Sequence, residues 1–74
     1  MAVITQTLID QLSPYGTIII AGINNPKSYI VAMENVTGTL EEIESVTNQH
    51  ILTEYPTKGE SSLVDGIFKT IYFK

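Results

Sequence analysis

The chain predicts a mainly β domain, a small closed barrel behind an N-terminal helix, with an α+β arrangement of two helices and two hairpins as the alternative. Three observations lead there. Two neighbouring segments, Thr17–Ile23 and Ser28–Val36, are apolar on both strand faces, so a sheet built from them needs cover on both sides. The last segment, Ile67–Phe73, carries aromatics on alternate faces and cannot remain a free edge without inviting aggregation. The chain has 74 residues and no cysteine, so its one domain buries only about 60% of its unfolded surface and has no disulfide staple. With 43% hydrophobic residues, self-association is the expected source of the missing stability.

Each element follows from spacing and punctuation. In Ala2–Leu12, Ile4, Leu8 and Leu12 recur at i, i+4 and i+8, with Ile9 widening the stripe and Gln6, Asp10 and Gln11 on the far side. Pro14 restricts Ser13 and ends the helix. Thr17–Ile23 is β-branched and reads as a buried strand, with Gly22 marking a bulge or the close approach of another backbone. Asn24-Asn25-Pro26-Lys27 is a turn. In the strand Ser28–Val36, Tyr29, Val31 and Met33 share one face and Ile30, Ala32 and Val36 the other.

Gly38–Thr53 supports two readings. Thr39-Leu40-Glu41-Glu42 fits a capping box, and Leu40, Ile43 and Val46 recur at helical spacing, which predicts a helix over Thr39–Gln49. The competing reading is strand, turn at Ser45–Asn48, and strand, and it is the one adopted because doubly apolar strands call for a barrel. His50–Tyr55 is expected as a strand stopped by Pro56, and Thr57–Ser62 as a polar loop. Ser62–Val64 and Ile67–Phe73 follow, as one long strand or as two broken at Asp65-Gly66, with Phe68, Thr70 and Tyr72 on one face.

Composition removes several functional classes. The net charge is −4, and the four cations are all lysine, with no arginine, which disfavours non-specific DNA binding. No apolar run approaches membrane-spanning length, and no basic segment leads into an apolar one, so a cytoplasmic location is expected. His50 is the only histidine and has no nucleophile beside it in any motif; Glu41, Glu42 and Glu44 lack a cation-binding loop pattern. No catalysis, cofactor, metal or small-molecule substrate is expected.

Gly38, Leu40 and Asn48, followed by the apolar pair Ile51-Leu52, fall on positions of one Sm/LSm signature. Ile43 stands there for an aromatic, Glu44 for aspartate and Thr47 for methionine. Val64-Asp65-Gly66 before the C-terminal strand matches the second signature, with Asp65 in place of arginine. In outline the chain therefore resembles the Sm-like proteins, which include the bacterial host-factor RNA chaperones. That resemblance implies a single domain over residues 1–74, with a helix over about 2–13 and a strongly bent five-stranded, SH3/Sm-like barrel over about 16–74. It also implies a cyclic homo-oligomer joined through edge strands and a pore that binds single-stranded RNA. Carried over, Thr47, Asn48, Asp65 and Gly66 would line that pore, with Asn48 reading a base edge. His50, Tyr55 and Tyr72 would offer an alternative stacking face. An aspartate where the family has arginine replaces a base-stacking cation with a repeated negative charge. The alternative function, favoured by the acidity and the capping box, is a protein–protein assembly or adaptor module, of viral type, without nucleic acid.

Overall fold

The capping-box reading of Gly38–Thr53 is the one realised, and it changes the architecture around it. The computed structural model describes residues 4–25 and 27–74; the predicted helix start at Ala2 and Pro26 of the predicted turn lie outside them. The elements run α1 (Ile4–Leu12), a 3-10 turn (Ser13–Tyr15), β1 (Thr17–Asn25), β2 (Ser28–Glu34), α2 (Leu40–Ile51), β3 (Thr57–Val64) and β4 (Ile67–Phe73). Both hairpins, β1–β2 and β3–β4, form, and β2 pairs with β4, giving one antiparallel sheet of order β1-β2-β4-β3. This is a small α+β domain, the alternative architecture, rather than a five-stranded barrel. The sheet stays open, with β1 and β3 as its edges.

Two segments account for the difference. His50–Tyr55, expected as a strand, is the end of α2 and the turn after it; Tyr55 N–H donates to the Ile51 carbonyl at 2.8 Å. Its β-branched residues give way to tertiary burial, because Ile43, Thr47 and Ile51 form one stripe at i, i+4 and i+8 that the sheet covers. Thr57–Ser62, expected as a loop, is most of β3. An edge strand needs little apolar alternation, and its polar residues conceal a period of two in which Ser61 and Leu63 are half-buried on the covered face.

The helices start and stop as local chemistry dictates. Thr39 Oγ1 accepts from Glu42 N–H at 3.2 Å, and the Glu42 carboxylate accepts from Thr39 N–H at 3.1 Å, closing the capping box. Pro14 does not expel the chain at Ser13; it tightens the end of α1 into a 3-10 turn, while Ser13 Oγ donates to the Ile9 carbonyl at 2.8 Å. The connection from β2 to α2 is tied at two points. Thr37 N–H donates to the Tyr15 carbonyl at 2.7 Å, and Val36 N–H donates to the Gly66 carbonyl at 2.9 Å. Asn35 enters that connection at φ 55°, a left-handed conformation that asparagine tolerates.

Both helices lie on one face of the sheet. Leu8 and Leu12 from α1 and Ile43 and Ile51 from α2 pack with Tyr29, Val31, Met33, Phe68 and Tyr72, all fully or almost fully buried. Tyr55 closes one end against Tyr29, ring centroids 5.7 Å apart and tilted by 53°. The face assignments of Tyr29, Val31 and Met33, and of Phe68, Thr70 and Tyr72, follow the strand period expected of them. Among the described residues nothing supplies the second cover. Ile20, Gly22, Ile30, Ala32, Lys69, Ile71 and Phe73 form an uncovered face.

Candidate functional site

The covered face holds a polar cluster where apolar packing would be expected. Tyr72 is fully buried, and its hydroxyl donates to Asn48 Oδ1 and lies 2.8 Å from the Thr47 hydroxyl. Thr47 also donates to the Glu44 carbonyl at 3.0 Å, and either hydroxyl can be the donor between Thr47 and Tyr72. Beside this group Lys58 on β3 forms an ion pair with Glu44 on α2, and the Ser61 and Thr70 hydroxyls meet at 2.6 Å. The hydrogen bond from Lys58 holds the Glu44 carboxyl below its ordinary pKa, against the opposing effect of burial, with a smaller contribution from Ser61. Burial raises the Tyr72 phenol above 10.0, against the hydrogen bonds of Thr47 and Thr70. The cluster ties α2 to β3 and β4. It holds no nucleophile–base pair, and its oxygens are spent on one another.

The residues singled out for a pore separate into three places. Thr47 is fully buried and Asn48 half-buried, both on α2 and both facing Tyr72. His50 is half-buried in the last turn of α2, where its side chain lies by the negative end of the helix dipole. Asp65 and Gly66 are the two-residue turn between β3 and β4, at φ 54° and φ 77°, the mirror-image turn that an Asp-Gly pair serves. Tyr72, which anchors Asn48, lies six residues along β4 from Gly66, about 20 Å of extended chain. Asn48 and Asp65-Gly66 are therefore not brought together within one subunit. The alternative stacking face is not formed either, since Tyr55 is 6% exposed and Tyr72 is fully buried. Among the described residues no cluster of His, Asp and Glu could hold a metal ion, and no helix is long and apolar enough to cross a membrane.

The surface most unlike an inert one is the uncovered side of the sheet and its β1 edge. Ile19, Ile20 and Ile23 on β1 are 57%, 48% and 63% exposed, and Val64, Ile67 and Phe73 are exposed at the ends of the other hairpin. Between β2, β4 and β3 runs an open groove of about 450 Å3 with Ile30 and Ile71 beside Glu60, Ser62 and Lys69. The two edges differ in kind. β3 carries Lys58 and Glu60, charges that blunt an edge. β1 carries no charged residue from Thr17 to Asn25; its pairing to β2 is irregular only around Ile19 and Asn24. The signal for this surface was present in the sequence as the doubly apolar run Thr17–Ile23, although a run of that kind does not say which side remains open.

No protein-family model, no curated protein and no solved structure matches the chain.

Proposed function

We propose that the chain is a non-catalytic protein–protein assembly module that works as a homo-oligomer and carries no nucleic acid ligand. One observation carries this reading: a sheet with helices on one face only presents isoleucines on its other side and along one uncharged edge. Isolated exposed apolar residues are ordinary, but a contiguous patch along a bare strand edge marks an association surface or an aggregation hazard. The small core makes the same point energetically, since a domain of this size gains a needed share of its stability from association.

Against nucleic acid stand the net charge of −4, the absence of arginine and the engagement of Asn48 by Tyr72. The test is light scattering after gel filtration across a dilution series. A mass that is a multiple of 8.2 kDa and falls on dilution is the expected result; 8.2 kDa at every concentration would remove the reading. Fluorescence anisotropy with oligo-U and oligo-A at low salt provides the second arm. Salt-sensitive binding there would restore the RNA function that the Sm-like resemblance implies.

A further inference from the structure

We infer that two copies of this chain join through β1, antiparallel across a two-fold axis at Ala21, to make one continuous eight-stranded sheet. The inference rests on the assembly reading above and assigns its occupant, its edge and its register.

The edge is chosen by charge. A ring built by head-to-tail pairing would set β1 against β3 of the next copy, and β3 is guarded by Lys58 and Glu60. Pairing β1 with itself meets no charge, which matters for two subunits that each carry −4. The size is adequate. Nine residues give an edge about 30 Å long. With a subunit 18 Å across its shortest axis, the contact covers on the order of 500 Å2 per copy, about 1,000 Å2 in total, the lower bound for a specific interface.

The register is set by Gly22. A glycine inside a strand weakens it unless something must come close. Within the subunit nothing does: a Cβ at Gly22 would meet no atom within 4 Å, and Gly22 is not among the glycines at positive φ. Ile20 and Gly22 both point to the uncovered face, opposite Ala32 and Ile30 of β2. In an antiparallel two-fold pair one residue must lie opposite its own copy, and Ala21 and Gly22 are the central choices. With Ala21 on the axis, Ile20 of each copy sits over Gly22 of the other, and the row across the joint reads Ile30, Gly22, Ile20, Ala32, large and small alternating. The same register sets Ile19 opposite Ile23, the two most exposed isoleucines among the described residues. With Gly22 on the axis, two glycines face each other and leave a gap in the row.

The chain has no cysteine, so single cysteines report the register directly. Opposite residues of an antiparallel pair lie about 4.5–5.5 Å apart at Cα, within disulfide range, whereas residues offset from the axis do not. Under mild oxidation Ala21→Cys should form a covalent dimer at least tenfold faster than Gly22→Cys and than an exposed control, Ser62→Cys. Faster linking of Gly22→Cys would overturn the register. Equal, slow linking of all three in a protein that still dimerises by light scattering would overturn the β1 joint and leave the assembly reading standing. A monomer at every concentration would overturn both. As a second measure, Gly22→Val should weaken dimerisation at least tenfold while the dilute protein melts no earlier than the parent. Unchanged dimerisation of that variant would also overturn the inference.

Discussion

The two faces of the sheet are made from the same strands and behave as different materials. On the helix side, Tyr29, Val31, Met33, Phe68, Thr70 and Tyr72 are at most 3% exposed, and the Tyr72 and Thr70 hydroxyls find partners on α2 and β3. On the other side Ile30, Ala32 and Ile71 are only half-buried, and Ile20 and Phe73 are exposed. Residues on the first face hold the subunit together. Those on the second contribute little to it and are available to a neighbour. The contrast teaches that an apolar period alone does not identify the core; what lies above the strand does.

The strongest break of that contrast is Phe68→Ala. It empties the centre of the covered face at a cost of about 3–5 kcal/mol, comparable with the whole stability of so small a domain, and far-ultraviolet circular dichroism should show loss of the cooperative fold. Next, Thr47→Val keeps the volume and removes the hydroxyl that Tyr72 faces; a denaturant melt should register a loss of about 1–2 kcal/mol. Tyr72→Phe should cost about 1 kcal/mol and also flatten the alkaline limb. The raised phenol favours the folded state below the ordinary tyrosine value, and this contribution is lost as pH rises through the folded-state value.

Smaller still is Glu44→Gln. The depressed carboxyl stabilises the fold above its unfolded value of about 4.5 and ceases to do so as pH falls through the folded-state value. Because the pair with Lys58 is partly exposed, roughly a few tenths of a kcal/mol should disappear, and the acid limb of the melting profile should shift correspondingly. At the far end stands Ile20→Lys on the open face. Compared at a dilution where the parent is also monomeric, it should change the unfolding free energy of the subunit by less than about 0.5 kcal/mol, yet abolish association in light scattering at higher concentration, which is the contrast between the faces in one variant. Should Ile20→Lys instead unfold the chain, the open face would have to be counted as core.

Much of the secondary structure was legible, because where one face is covered the period survives. Leu8 and Leu12 on α1, Tyr29, Val31 and Met33 against Ile30 and Ala32 on β2, and Phe68, Thr70 and Tyr72 on β4 could all be read from alternation or helical spacing; Val36, expected beside Ile30 and Ala32, lies beyond the end of β2 and packs against the core. Thr39 and Glu42 announced the start of α2 through a hydrogen-bonding pattern confined to four residues. The stretch Thr57–Ser62 was not legible as a strand, since an exposed edge imposes no apolar rhythm, and its pairing partner Thr70 lies nine residues away. The candidate pore residues could be listed but not located. Whether Asn48 faces a ligand or a tyrosine depends on where Tyr72 stands, and Tyr72 is 24 positions distant.

The sequence by itself determined the local elements: the amphipathic α1, the two doubly apolar strands, the capping box, the Asp-Gly turn, and an acidic chain without arginine or cysteine. Each of these is an interaction between residues a few positions apart. Only the tertiary structure decided between the two readings of Gly38–Thr53 in favour of the helix Leu40–Ile51, made His50–Tyr55 the end of that helix and the turn after it rather than a strand, and left the sheet open on one side. Those outcomes depend on burying Ile43, Thr47 and Ile51 against residues from the far end of the chain. A gain of that kind is set by three-dimensional packing; the i, i+4, i+8 spacing of these residues does not say which surface will cover them.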